Sequence, residues 1–246
     1  MDSNLPLAGR IALVTGATRG IGNAIALGLA KAGAHVIALG RTQGALEALD
    51  DAVFQATGEH ATLVPIDLRQ PEGLDPLGAA IHERWGKLDI LIGAAGVLGA
   101  LTPVGHLDPK AWDIIMATNL TANWRLIRSM DPLLRKSDAG RAVFLSSSVA
   151  QQPRAFWGAY AASKAGLEAL VATWDDELTP TAVRALCVNP GAMRTRMRAG
   201  AYPGEDPAAL PAPEEIVPLI VELARPDREP PRACVNFREW KAAARP

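Results

Sequence analysis

The chain has 246 residues, a formal charge of −1 at neutral pH, 49% hydrophobic and 21% charged residues. That length suits one large domain with a full apolar core. The balanced charge excludes a global field that would gather nucleic acid or an acidic membrane.

The predicted elements alternate in chain order. Ile11 to Val14 (IALV) reads as a short buried strand, followed by glycine-rich sequence and a helical pattern over Ile21 to Ala32. Val36 to Leu39 is a second strand and Ala45 to Ala56 a second helix; Ala61 to Ile66 is a third strand, then Leu77 to Trp85 a helix. Leu88 to Ile92 is a fourth strand, Pro109 to Leu134 mostly helix, and Ala142 to Leu145 a fifth strand. Tyr160 to Leu178 is helical, Val183 to Val188 a sixth strand, and a last helix covers Pro213 to Ala224. Ala233 to Phe237 is read as a seventh, edge strand. Short, continuously apolar strands separated by helices imply a parallel sheet covered on both faces. The expectation is a single α/β domain over 1–246: a Rossmann-type three-layer sandwich with a mostly parallel sheet of six or seven strands. The Pro/Gly/Ala-rich stretch 199–213 is read as a substrate loop or a plain surface loop, and 241–246 as a frayed tail. No apolar run reaches the ~18 residues needed to span a bilayer. The N-terminal MDSNLPLAGR has no basic region followed by an apolar stretch. A cytoplasmic protein is the expectation.

TGATRGIG (Thr15 to Gly22) lies between the first strand and the first helix. Gly16, Gly20 and Gly22 permit a tight turn and close backbone approach, so N–H groups at the helix start can face a pyrophosphate. Thr18, Arg19 and Ile21 belong to the same loop. The end of the second strand should face an adenosine ribose, where an acid would bind the 2′-hydroxyl of NAD. Gly40, Arg41 and Thr42 stand there instead. Arg41, with Arg19, suits the 2′-phosphate of NADP; a solvated arginine is the plain alternative. Asp67 and Leu68, after the third strand, could hold an adenine ring, or Asp67 could cap a helix.

Tyr160 and Lys164 are four residues apart, so a helix puts them on one face. Ser147 follows the fifth strand. A tyrosine at its ordinary pKa of about 10 exchanges its proton poorly near neutrality. A neighbouring ammonium is expected to lower that value and let Tyr160 serve as general acid to a carbonyl and general base to an alcohol. Ser147 would donate to the substrate oxygen.

With these stretches quoted, the sequence resembles the classical short-chain dehydrogenase/reductase family from about Gly9 to Ala224. The family's glycine motif matches Thr15, Gly16, Gly20, Ile21 and Gly22, and its Ser, Tyr and Lys match Ser147, Tyr160 and Lys164. Its asparagine matches Asn119 in NLTAN, and its motif after the sixth strand matches Asn189, Pro190, Gly191 and Thr195. More narrowly the chain resembles a bacterial ketoacyl-reductase-like subgroup whose substrate is undefined. The resemblance implies that Asn119 supports a water-linked proton route to Lys164 and that both belong with Tyr160 at the cofactor. It also implies that Thr195 and the backbone at Pro190 and Gly191 meet the nicotinamide carboxamide. Relatives form homodimers or homotetramers through the helices holding Asn119 and Tyr160. Two departures stand out. The Asn-Asn-Ala-Gly motif after the fourth strand is Gly93, Ala94, Ala95 and Gly96 here, and the usual C-terminal segment is replaced by ACVNFREW.

The expected activity is hydride transfer between NADP(H) and a small carbonyl or alcohol. The alternatives are an NAD(H)-dependent alcohol dehydrogenase and a cofactor-sensing or scaffolding protein without turnover. The four histidines form no metal-binding pattern. Cys187 and Cys234 match no metal spacing, and Cys187 reads as a small buried hydrophobe. Phe156 and Trp157 are read as pocket, interface or core residues, and Arg194, Arg196 and Arg198 as a basic run that is either solvated or meets an anionic group.

Overall fold

The computed structural model describes residues 5–70 and 73–244. Among these described residues seven parallel strands form one sheet in the order β3-β2-β1-β4-β5-β6-β7. They are β1 (Ile11–Thr15), β2 (His35–Gly40), β3 (Thr62–Pro65), β4 (Ile90–Gly93), β5 (Arg141–Leu145), β6 (Arg184–Asn189) and β7 (Val235–Asn236). The helices are α1 (Gly20–Lys31), α2 (Gln43–Thr57), α3 (Leu74–Trp85), α4 (Pro109–Met116), α5 (Ala122–Leu134), α6 (Gly158–Glu177), α7 (Arg196–Ala201), α8 (Val217–Ala224) and α9 (Phe237–Ala243). Each crossover carries at least one helix, as parallel pairing requires.

Successive strand residues point to opposite faces, and the core divides accordingly. Ala12, Val14, Val36, Ala38, Ile90 and Ile92 pack with Ile25 and Leu29 of α1, Leu46 of α2 and Ile220 of α8. Their immediate neighbours Leu13, Ile37, Leu39 and Leu91 pack on the other side with Ile81 of α3, Leu126 of α5 and Leu167 of α6. Both faces are apolar, which is why the strands read as unbroken hydrophobic runs. At the far end of the sheet from the cleft, Asp89 is fully buried. It accepts from Arg10 Nη1 (2.8 Å), the Ile11 N–H (2.9 Å), Ser137 Oγ (2.6 Å) and Lys87 Nζ (2.9 Å). Its charge is thus matched where β1 and β4 begin, as a buried carboxylate needs.

Sheet order reverses between β1 and β4, the position at which open α/β sheets form a ligand crevice beyond the carboxyl ends of their strands.

Three regions differ from the sequence reading. The helix over 109–134 is interrupted by a π-helical turn at Ala117–Thr121, in which the Ala122 N–H reaches back to the Ala117 carbonyl. The stretch 199–213 begins inside α7 and contains a short 3₁₀ turn at Pro207–Ala209. The seventh strand is only two residues long and leads directly into α9, which reaches Ala243 and includes Lys241 of the expected frayed tail; 245 and 246 lie outside the described residues. Asn236 starts this helix, its Oδ1 accepting from the Arg238 N–H at 3.0 Å. Among the described residues no helix is long and apolar enough to cross a membrane.

Candidate active site

A cleft of about 1330 Å³ runs along the carboxyl edge of the sheet. It is lined by Gly16, Thr18, Arg19, Gly20, Ile21 and Gly22 from the glycine loop, and by Arg41, Asp67 and Leu68 beyond β2 and β3. Ala94, Ala95 and Gly96 line its middle, and Ser147, Tyr160, Lys164, Pro190, Gly191 and Thr195 the other end. Of the sequence-predicted residues, Asn119 alone lies behind this surface: it is completely buried and does not line the cleft. Its side chain is held by protein groups.

The glycine loop owes its shape to crowding as much as to flexibility. Gly16 has φ +67°, and a Cβ there would lie 2.9 Å from the Ala95 backbone. A Cβ at Gly22 would lie 2.4 Å from the Gly16 carbonyl oxygen, so α1 can start against the loop only with glycine at that position. Thr195, the N-cap of α7, accepts from the Arg198 N–H through Oγ1 (3.2 Å) and lies over the loop, its Cγ2 3.5 Å from the position of a Gly20 Cβ.

At the adenosine end, Arg19 and Arg41 are exposed. A side chain at Gly40 would begin 2.3 Å from Thr18 Cγ2, so that methyl would have to shift to admit it. Asp67 accepts from the Arg69 N–H (3.0 Å) and from its Nε and Nη2 (3.0 and 2.5 Å). The Arg69 guanidinium holds the Asp67 carboxyl below its usual range. Asp67 thus closes its own turn and, among the described residues, caps no helix, since α3 starts after Gly73.

The two missing amides after β4 are replaced by other groups. Thr15 Oγ1 accepts from the Ala94 and Ala95 N–H groups (3.1 and 3.2 Å) and donates to the Ile92 carbonyl (3.3 Å). At Gly93 a Cβ would meet Phe144 Cδ1 at 2.3 Å and Asn123 Oδ1 at 2.9 Å. The phenyl ring and the Asn123 amide occupy the space of the absent side chain. Asn123, 2% exposed, donates through Nδ2 to the Asn119 carbonyl at 2.8 Å, a carbonyl within the π turn. Asn119 in turn accepts from the Val97 N–H (2.8 Å) and donates to the Val97 carbonyl (2.9 Å) and Ser163 Oγ (3.0 Å). Ser163 Oγ donates to the Tyr160 carbonyl at 2.8 Å. Asn119 therefore joins the loop after β4 to the first turn of α6.

Tyr160 sits on that turn, 9% exposed. Ser147 lines the cleft beside it. Lys164 is 3% exposed; its Nζ donates to the Leu145 carbonyl at 2.6 Å and lies 5.8 Å from the Tyr160 ring centre. The expected lowering of the Tyr160 pKa is not found. Burial pushes the phenol up to about 12, with the Ser147 hydroxyl acting in the opposite direction, and burial pushes the Lys164 ammonium down to about 8. The ammonium donates to a carbonyl, and withdrawal from water is the larger influence on each group. The phenol is protonated at neutral pH.

Several cleft residues were not read from sequence. Thr118 lines the cleft, and its buried Oγ1 has no hydrogen-bond partner. Arg238, on the unpredicted α9, brings its Nε to 3.2 Å from the position of a Gly191 Cβ. Tyr202 and Trp157 stand together at the far end, their ring centres 6.0 Å apart. Thr118, Arg238 and Tyr202 carried no motif, whereas Trp157 is the one of the four that the sequence offered as a pocket, interface or core residue. Cys187 and Cys234 are free thiols, both pushed up by burial. Among the described residues no group of three or more His, Cys, Asp or Glu is placed to hold a metal ion.

Comparison with known proteins matches residues 10–206 to the short chain dehydrogenase model. The chain belongs to the short chain dehydrogenase family. It is 41% identical to the oxidoreductase YciK of Escherichia coli over 220 residues, covering 89% of this chain and 87% of that protein. A short chain dehydrogenase from Shigella flexneri 2a, complexed with NADP, superposes with a TM-score of 0.91 at 38% identity, covering 95% of this chain and 99% of that one. One from Escherichia coli CFT073, complexed with NADPH, gives 0.91 at 39% identity, covering 95% and 98%. Membership makes the chain an oxidoreductase acting on CH–OH or C=O groups.

Proposed function

We propose that the protein interconverts a carbonyl and an alcohol using NADP(H), with Tyr160 as the acid/base. The observation that carries this reading is one continuous cleft. It has exposed Arg19 and Arg41 at one end, glycine rather than an acid at position 40 packed against the Thr18 methyl, and the Ser147–Tyr160–Lys164 group at the other. The relatives complexed with NADP and NADPH support the same cofactor here.

The residues fit such a cofactor. The glycine loop would receive the pyrophosphate, Arg19 and Arg41 the 2′-phosphate, and Thr195 with the Pro190–Gly191 backbone the carboxamide. Bound NADP(H) supplies or takes up the hydride. Ser147 fixes the substrate oxygen through its hydroxyl. Tyr160, protonated at neutral pH, donates to that oxygen as it gains charge, which suits reduction. Lys164 is mostly an ammonium at neutral pH and stands one helical turn from Tyr160, where it can hold ribose hydroxyls and return a proton. Asn119 positions this group from behind, through Val97 and Ser163.

The protein is further proposed to be cytoplasmic and to act as a homodimer or homotetramer, with exposed Trp124 (43%) of α5 in the contact. An NAD-dependent alcohol dehydrogenase is disfavoured by glycine in place of an acid at position 40, and a non-catalytic scaffold by family membership. Fluorescence titration with NADPH and NADH at one salt concentration tests the cofactor. NADPH should bind about tenfold more tightly or better, as a charge-assisted phosphate contact provides, and Arg41→Ala should remove most of that margin. Equal or tighter NADH binding in the unaltered protein would refute the reading.

A further inference from the structure

The ring of Tyr160 clusters with Val149 and Ala161, with Leu98 and Trp157 packed against them. Trp157 meets Tyr160 edge-on, centres 5.9 Å apart, and Tyr202 at a 34° tilt. Trp157 therefore stands next to both tyrosine rings at this end of the cleft. Tyr202 comes from the end of α7 and is held from behind. The Arg198 guanidinium lies 3.7 Å from its ring centre, and Glu205 binds that guanidinium at both Nε and Nη2 (2.5 and 2.6 Å). Across the cleft, the loop carrying Leu98 is tied down where the Thr102 N–H donates to the Phe156 carbonyl at 3.1 Å, beside Trp157. Phe156 has φ +73°, a backbone state a bulky residue seldom takes. Both arms of the recess are thus fastened.

The hydroxyls of Ser147 and Tyr160 line this recess beside the rings of Trp157 and Tyr202, and Gln152, Arg154, Arg194 and Arg196 line other parts of the cleft. A polar substituent pressed flat against the two ring faces loses water and gains no partner there. A planar apolar ring loses little and meets aromatic faces at the separations that aromatic pairs favour.

We propose that the substrate carries its carbonyl or alcohol on, or directly beside, a planar aryl ring that lies against Trp157 and Tyr202. The inference rests on the carbonyl–alcohol reading above and adds to it the class of substrate.

Two measurements test it, one of them independent of turnover. The first is NADPH oxidation with 1-tetralone, acetone and pyruvate. The second is calorimetric binding of 1-naphthol to the NADP⁺-saturated protein; this ring cannot lose a hydride from its C–OH carbon. Expected is a kcat/KM for 1-tetralone about tenfold or more above the other two, a difference of about 1.4 kcal/mol, together with measurable naphthol binding. Tyr202→Ala and Trp157→Ala should each weaken both ring readouts about tenfold, again about 1.4 kcal/mol. NADPH affinity should not change in either variant. A preference for acetone or pyruvate would overturn the proposal, as would an equal fall for all three carbonyls in Tyr202→Ala. If no carbonyl turns over, naphthol binding that depends on Tyr202 keeps the ring site and sinks the reaction reading. Absence of naphthol binding overturns the ring site itself.

Discussion

At the nucleotide end of the cleft the ligand-facing surface is mostly backbone, held in place by contacts too close for any side chain. At the substrate end it is side chains on long arms, fastened by a few polar links. Gly16 and Gly22 illustrate the first: a Cβ on either would strike main chain at 2.9 or 2.4 Å. Tyr202 illustrates the second, since its place depends on Arg198 and Glu205, residues with no part in the sheet. The contrast separates two kinds of constraint. A phosphate site built on strand ends tolerates almost no change in shape, whereas a substrate site built on loops can be remade without disturbing the fold.

The sharpest way to divide the two ends is at Lys164. Lys164→Met should cut turnover by about 10²–10⁴, the range of a lost acid–base partner, while NADPH still binds. The same variant carries a pH signature. The folded protein holds Lys164 near 8, below its ordinary 10.5. Its contribution to stability is therefore greatest above 10.5 and is lost as pH falls to about 8. The variant should gain stability relative to the parent at pH 7, and that gain should shrink as pH rises from about 8 to 10.5. Urea denaturation across that window reads it; a constant difference would contradict the burial argument.

Gly22→Ala should act at the other end only. The new methyl forces α1 away from the Gly16 carbonyl, costing about 2–3 kcal/mol of stability by overpacking and weakening NADPH binding. The aryl site should persist in the protein that remains folded. Asn123→Ala lies on the seam between the ends and has the smallest expected effect. It leaves the buried Asn119 carbonyl without its donor and should cost about 1–2 kcal/mol, seen as a lower urea midpoint. An unchanged midpoint would mean that Phe144 alone fills the space at Gly93.

The same contrast explains what was legible in the sequence. The strand–helix alternation was readable because strands buried on both faces must be apolar throughout, and the glycine loop because its geometry admits few residues. Ser147, Tyr160 and Lys164 were readable as a spaced set. The π turn at Ala117–Thr121 was not, because no proline or glycine marks it; a side-chain bond from Asn123 to the carbonyl of Asn119 accompanies it. α9 was hidden behind a two-residue strand whose last residue, Asn236, is also the helix cap. The direction of the Tyr160 shift was misjudged for a related reason. Spacing placed Lys164 on the right face, but only the fold shows its Nζ turned to the Leu145 carbonyl while burial acts on both groups.

Proton transfer in the proposed reaction depends on the Tyr160 hydroxyl, and replacing that hydroxyl with hydrogen removes the donor alone. Tyr160→Phe keeps the ring beside Trp157, so NADPH affinity and thermal stability should stay close to those of the parent. With 1-tetralone or whichever carbonyl the parent reduces best, turnover should fall by about 10²–10⁴. If the Tyr160→Phe variant binds NADPH and reduces that carbonyl at the parent's rate, Tyr160 is not the proton donor and the proposed mechanism is wrong.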